Sequence, residues 1–534
     1  MEGVATVRSA TFRWLVATGL AALLGATALA PSPTPTPAPT PPPNQPPPEL
    51  GAADVRRAVD RLDGVVEAAM KRTGVPGVAV AVVHDGKVLH LKGYGVRKAG
   101  ESAAVDADTV FQLASVSKPI ASTVVAGAVG VDGWSQPVAP HVPGFRLKDP
   151  WVTDHVTVAD LFSHRSGLPD HAGDLLEDLG YDRRYILSHL RYEPLAPFRA
   201  SYAYTNFGLT AAAQAVADEK GVPWEKLAED VLYEPAGMDS TSSRFEDFEK
   251  AKDRAWGHVK TGGGGEGEGV WKPEFVRDPD AQSPAGGVSS TARDMALWLR
   301  LQLANGELDG KRIIAADALE RTHWPEAVSN PPSAPAARTG FYGLGWNVSY
   351  DDAGRLRLSH TGAFAEGAHT NVTMLPGEQL GIVVLTNTAP VGVADAVALD
   401  FFDIAETGKI SRDWIPLVDA VYQAQEDEGR SDTDYARPPS GAEPAQDADA
   451  YAGTYTSDYY GRAEVVAGED GALTLRLGPE PQAYRLTHYD GDVFSFETRG
   501  ENAVGRTGVT FTGDGKTFTV EYLNGEGLGT FTRE

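Results

Sequence analysis

Phe111-Gln-Leu-Ala-Ser115-Val-Ser-Lys118-Pro119 holds the only Ser-x-x-Lys in this 534-residue chain. An apolar, small-residue run, Ile120 to Val129, follows it, and Gly130 is placed to end that run as a helix C-cap. Proline is tolerated in the first turn of a helix and not deeper, so Pro119 puts the helix start close by. Ser115 then sits at the helix mouth, with Lys118 one turn on and on the same face. A serine hydroxyl is a weak nucleophile near neutral pH and needs a base within hydrogen-bond reach. A lysine whose pKa is lowered by desolvation can take or relay that proton. Backbone N–H groups at a helix N-terminus suit a developing oxyanion. A chance Ser-x-x-Lys is usually a solvated lysine one turn past a serine. Apolar Phe111, Leu113 and Ala114 ahead of this pair predict instead that it is partly buried.

The rest of the chain frames that stretch. A net charge of −26 and a pI near 4.9 argue against nucleic acid or an anionic membrane surface as partner. With no cysteine there is no disulfide, thiol nucleophile or cysteine metal site. Arg8 and Arg13 precede an apolar run, Trp14 to Ala30, that ends Ala28-Leu-Ala30. That pattern predicts a secretory signal over residues 1–30, with an uncleaved anchor as the alternative. A Pro/Thr-rich spacer follows over 31–50.

Ala52 to Lys71 has helical periodicity, and Val78–Val83, Asp85-Gly86 and Lys87–Leu91 read as a β-hairpin. Val156 to Pro169 carries a polar cluster, Ser163-His164-Arg165-Ser166, whose residue types fit turn and capping chemistry better than catalysis. Thr261 to Gly269 is expected to be a mobile Gly/Glu-rich loop. Pro284 to Asp294 has close-approach glycines and a capping pair, Thr291 with Asp294. Three strand-like runs, Leu356–Ser359, His369–Leu375 and Gly381–Thr386, precede a closing helix, Val393–Ile404. Residues 411–449 read as an acidic linker. Residues 450–534 read as short alternating strands punctuated by Asp470-Gly471, Asp490-Gly491 and Asp514-Gly515, a small all-β barrel-like domain without a catalytic constellation.

Ser115-Val-Ser-Lys118, Tyr204-Thr-Asn206 and His360-Thr-Gly362 stand in the order of the three active-site elements of the serine β-lactamase and DD-peptidase superfamily. The chain resembles that superfamily, and its Tyr-x-Asn form is similar to the class C β-lactamase-like branch. The resemblance implies an α+β (α/β sandwich) fold over 51–410, an antiparallel sheet flanked by helices plus a helical lobe. It implies Ser115 as nucleophile, Lys118 sharing its proton, and Tyr204 as general base, its phenol lowered by surrounding cations. It implies Asn206, His360, Thr361 and Gly362 as substrate-binding residues, and the backbone N–H groups of Ser115 and Ala363 as oxyanion hole. His360 departs from the lysine usual in β-lactamases. A histidine there is expected to titrate near neutrality and to hold a substrate carboxylate better when protonated.

The expectation is a secreted or cell-envelope serine hydrolase working through an acyl-enzyme, most simply on D-amino-acid peptides such as cell-wall stems, as a DD-carboxypeptidase or a D-aminopeptidase-like enzyme. The alternatives are an esterase or class C-type β-lactamase, or a non-catalytic binder of wall fragments or β-lactams. No metal or organic cofactor is implied. No partner is expected beyond a small-molecule or peptide substrate, apart from the membrane should the signal stay uncleaved.

Overall fold

Val78 to Val83 is apolar at every position, as in a strand covered on both faces. In the computed structural model, which describes residues 49–262, 269–274, 276–335 and 337–534, it forms β1 (Gly77–His84). Asp85 and Gly86, with φ of 50° and 71°, turn it into β2 (Lys87–Gly95). The predicted signal, nearly all of the spacer and residues 263–268 of the predicted mobile loop lie outside the described residues.

Six further strands complete one sheet: β3 (Ala327–Asn330), β4 (Gly340–Tyr342), β5 (Asn347–Tyr350), β6 (Leu356–Phe364), β7 (Ala368–Leu375) and β8 (Leu380–Thr386). Every neighbouring pair is antiparallel, in the order β2-β1-β8-β7-β6-β5-β4-β3. The side chains of β1 alternate between two cores. Val78, Val80 and Val82 pack with Leu62 and Val66 of α1 (Ala52–Thr73) and Phe401 of α5 (Val393–Thr407). Ala79, Ala81 and Val83 join the opposite core, which contains Trp298 and Leu299 of α4 (Ala292–Leu303). Each fully buried valine or leucine contributes roughly 1.5–3 kcal/mol, so a one-residue slip of register would be costly on both faces.

That second core continues into a helical lobe containing α2 (Ser117–Val129) and α3 (Asn206–Lys220). Pro119 falls in the first turn of α2, and Gly130 ends the helix with its N–H on Ala126 O at 3.0 Å. The polar stretch Val156–Pro169 combines local capping with distant contacts, Arg165 to Glu326 and His164 to Thr205. Thr157 and Asp160 form a capping box, and Asp160 also accepts from Arg165 Nε and Arg199 Nε at 2.9 Å each.

The segment expected as linker contains a 15-residue helix, α6 (Trp414–Glu428). Its acidic composition masked a helical spacing of apolar residues, Ile415, Val418 and Tyr422. Beyond it, nine antiparallel strands form a second sheet. Its two terminal strands, Gln482–Arg485 and Thr487–Asp490, are separated by Leu486 alone, so the sheet curls into a nearly closed barrel. It packs on the helical lobe through Tyr459 OH on Glu193, Tyr181 OH on Tyr460 O (2.7 Å) and Asn502 N on Asp178 Oδ2 (2.9 Å).

Candidate active site

Ala114 adopts φ +47°, a left-handed conformation that costs a non-glycine residue roughly 1–3 kcal/mol. The preceding residue is anchored on both sides. Leu113 N–H reaches Val288 O at 2.8 Å, and Thr370 Oγ1 donates to Leu113 O at 2.6 Å. The strained turn sets Ser115 in a single 3₁₀ turn, lining a cleft just ahead of α2.

Lys118 is fully buried. Its Nζ donates to Ser115 Oγ (3.0 Å), Asn206 Oδ1 (2.7 Å) and Ala285 O (3.1 Å), three acceptors for three ammonium hydrogens. Burial pushes the ammonium down to about 7, against the pull of the Asp174 carboxylate. Asn206, the first residue of α3, is itself fixed: Nδ2 donates to Asp174 Oδ2 at 2.8 Å, the oxygen that also meets His171 Nδ1 at 2.8 Å. Tyr204 hydrogen-bonds Ser115, and Lys118 Nζ lies 4.5 Å from its ring centroid. His164 Nδ1 accepts from Thr205 N at 3.2 Å and so steadies the Tyr204–Asn206 segment. The expected lowering of the Tyr204 phenol is not found. Burial pushes it well above its ordinary value, and the Ser115 hydrogen bond only partly offsets that.

The facing wall is a strand edge. Pairing of β5 with β6 stops at Asn347–Ser359, so residues 360–364 are paired with β7 on one side and face the cleft with the other. A Cβ on Gly362 would lie 2.2 Å from Leu113 O and 2.9 Å from Ser115 N. Glycine there lets the strand approach the Ser115 amide. Thr361 and Ala363 line the cleft with Ser115. His360 does too, but not as a titrating cation. Nδ1 bonds Thr361 O at 2.8 Å, which leaves Nε2 to accept from Tyr342 OH at 2.8 Å. Burial, with the Lys118 charge, pushes the imidazole down to about 3, so it is neutral at physiological pH, contrary to the expectation of partial charge.

The Thr361 hydroxyl donates to Asp395 Oδ1 at 2.5 Å. Asn371 Nδ2 donates to the same carboxylate oxygen at 2.7 Å, and His369 Nε2 lies 2.8 Å from Oδ2. Tyr422 of α6 adds its phenol to Oδ2 at 3.1 Å. The cleft, of about 1200 Å³, is also walled by Tyr422, Tyr435 and Glu501 from the C-terminal third. Glu501 accepts from Ala365 N (2.8 Å) and Glu366 N (3.2 Å) and so pins the end of β6. Behind it, the buried Arg277 guanidinium reaches Glu177 at 2.5 Å and Glu501 at 3.5 Å.

Of the eight residues expected at the site, Ser115, Tyr204, His360, Thr361 and Ala363 line one cleft, Lys118 and Asn206 form the hydrogen-bonded chain behind Ser115, and Gly362 lies against the Ser115 amide. Asp174, Ala285, Tyr342, Asp395, Tyr422 and Glu501 were not foreseen. Only Ala285 had a local signal, the Pro-Ala-Gly-Gly stretch, in which Gly287 leaves no room for a Cβ 2.6 Å from Ser283 Cα.

Residues 62–402 match the family model described as Beta-lactamase. The chain belongs to the beta-lactamase family. This beta-lactamase-family protein is a serine hydrolase of the β-lactamase and penicillin-binding-protein superfamily. Residues 437–523 match a separate model, Domain of unknown function (DUF3471). Among curated relatives, the chain is 26% identical to the unguisins hydrolase ungD of Aspergillus violaceofuscus (strain CBS 115571), over 80% of this chain and 81% of that protein. It is 29% identical to penicillin-binding protein 4 of Amycolatopsis lactamdurans, over 61% of this chain and 84% of that protein. Among solved structures, the octameric penicillin-binding protein homologue from Pyrococcus abyssi superposes with a TM-score of 0.58 at 19% identity, covering 86% of this chain and 98% of that one. The class C beta-lactamase from Rhodobacter sphaeroides gives a TM-score of 0.50 at 21% identity, covering 64% and 97%. The two structural likenesses speak to the fold.

Proposed function

We propose that this protein cleaves amide bonds in peptides containing D-amino acids through an acyl-enzyme on Ser115. One observation carries the reading: Lys118 Nζ lies 3.0 Å from Ser115 Oγ while burial holds its pKa at about 7. Half or more of the lysine is then neutral at or above pH 7, and a neutral amine accepts the Ser115 proton as Oγ attacks the carbonyl. The Ser115 and Ala363 amides stabilise the oxyanion. Collapse of the tetrahedral intermediate expels the amine, which takes a proton from the Lys118–Tyr204 pair, with neutral Tyr204 as carrier. Water, deprotonated by the same pair, then releases the acid. Secretion, proposed from the Arg8–Ala30 segment, would bring the enzyme to cell-wall stems.

Between the two peptidase readings, the D-aminopeptidase-like one is favoured. His360 is neutral, and the arginines lining the cleft, Arg430 and Arg506, are paired with Asp427 (2.8 Å) and Glu497 (2.9 Å). The test is a fluorophosphonate label located by mass spectrometry, with a panel of D-Ala-D-Ala peptide, D-amino-acid amides, short esters and a chromogenic cephalosporin. Labelling of Ser115 and turnover of D-amino-acid amides is the expected result. Label on another serine overturns the mechanism. Turnover of esters or the cephalosporin alone replaces the peptidase reading with the esterase or β-lactamase one.

A further inference from the structure

The strand edge opposite Ser115 has an unusual hydrogen-bond inventory. A threonine hydroxyl has one proton to give and two lone pairs to receive with. Thr361 spends its proton on Asp395 Oδ1 at 2.5 Å and one lone pair on Asn371 Nδ2 at 3.2 Å. What remains toward the cleft is one acceptor site. Its neighbour His360 has both ring nitrogens committed, to Tyr342 and to the Thr361 carbonyl. This edge therefore accepts from a ligand but has no side-chain proton to offer a carboxylate.

The charge behind it points the same way. The Asp395 side chain is 14% exposed and sits directly behind the Thr361 hydroxyl. Burial alone would raise its pKa, but the hydrogen bond and charge attraction of His369, with hydrogen bonds from Thr361 and Asn371, hold it below the ordinary carboxylate value, so it is an anion. A hydroxyl polarised by a carboxylate is a stronger acceptor than a free one. Further carboxylates line the cleft, among them Asp170 from the helical lobe and Glu426, Glu428 and Asp434 from the C-terminal segment. They outnumber the cations of the lining, Arg430, Arg506 and His171, which are paired with Asp427, Glu497 and Asp174, and a cleft with an excess of one sign of charge favours the opposite one.

We propose that the cleft reads an ammonium group of its substrate at Thr361, with Asp395 as the selecting charge and Asn371, His369 and Tyr422 as the residues that aim it. The proposal rests on the D-peptide reading and sharpens it: the substrate presents a free amine here, from its terminus or a basic side chain, and a carboxylate is disfavoured.

The test uses the full chain and protection of Ser115 from fluorophosphonate, which reads binding whether or not the ligand is hydrolysed. D-Alaninamide carries an ammonium and no carboxylate, and N-acetyl-D-alanine the reverse. D-Alaninamide should reach half-protection at about tenfold lower concentration, the worth of one charge-assisted hydrogen bond. In Asp395→Asn, whose Oδ1 can still accept from Thr361 and Asn371, that ratio should fall to within about twofold. Should this variant unfold, Thr361→Val removes the acceptor at equal volume and should give the same loss. Equal protection in the wild type, stronger protection by N-acetyl-D-alanine, or a tenfold preference retained in the variant that folds overturns the proposal. Comparing D-alanine amides with peptides bearing a basic side chain and a blocked terminus tells which amine is read. Failure to cleave D-alanine p-nitroanilide would sink the peptidase reading, while the protection ratio would still stand or fall alone.

Discussion

The two walls of the cleft treat their polar groups in opposite ways. On the helix side, Lys118 is fully buried with three acceptors around one nitrogen, and burial drives its pKa toward neutrality. On the strand side, His360 is just as buried, and burial together with the Lys118 charge leaves it neutral at physiological pH, the Thr361 hydrogen bond opposing only in part. The same desolvation that makes a lysine reactive silences a histidine, because their ordinary pKa values lie on opposite sides of 7. One wall thus holds the group that can change protonation state, and the other holds fixed dipoles and the fixed charge of Asp395.

The sharpest way to challenge this contrast is at Lys118. Lys118→Met should lower kcat/KM on an amide substrate by roughly 10³-fold, within the range for loss of a general base. In the wild type, the active form is the deprotonated lysine. The rate should therefore climb about tenfold per pH unit below 7 and flatten above it. A flat profile from pH 5 to 9 would remove Lys118 from the base role.

A second challenge concerns the barrel's hold on the strand wall. Arg277→Met would leave Glu177 and Glu501 buried without their cation, costing roughly 3–5 kcal/mol in urea unfolding at pH 8. Burial raises these carboxyls to about 8 and about 7, with Arg277 opposing. In the folded chain they keep protons that the unfolded chain releases near its ordinary value of about 4.3. The folded state therefore binds more protons across that window, and stability falls as pH rises from about 4.5 to 8. The variant should show a steeper fall. An unchanged slope would mean the cluster does not titrate as the geometry implies.

Smaller effects are expected within the strand wall itself. Tyr342→Phe leaves His360 Nε2 buried without its donor and should cost about 1–3 kcal/mol. The smallest effect is an absence. His360 should give no inflection in activity and no ring-proton shift by NMR between pH 5 and 8, its titration lying near 3. A midpoint close to 6.5 would restore a carboxylate-sensing histidine.

Local chemistry made much of this readable from sequence. Ser115 and Lys118 are three residues apart at a helix mouth marked by Pro119. Asp85-Gly86 dictates its hairpin, and the spacing of Asp470-Gly471, Asp490-Gly491 and Asp514-Gly515 announces a strand-rich tail. Tyr204, Asn206 and His360 were found through their resemblance to a known pattern rather than through any local rule. The helix α6 was missed because its apolar residues are diluted by carboxylates. It buries no residue fully, and the partners of its Tyr422, Asp395 and His369, lie on other elements.

What residue order dictated was therefore every element whose cause lies within a few residues: caps, turns, periodicities and the spacing of the nucleophile and its lysine. Tertiary structure alone decided the protonation states and the recognition chemistry. Lys118 near 7, His360 near 3 and an anionic Asp395 behind Thr361 all follow from which groups share a buried neighbourhood. Desolvation and hydrogen-bond partnership are properties of that neighbourhood, and a chain position carries neither until distant segments close around it.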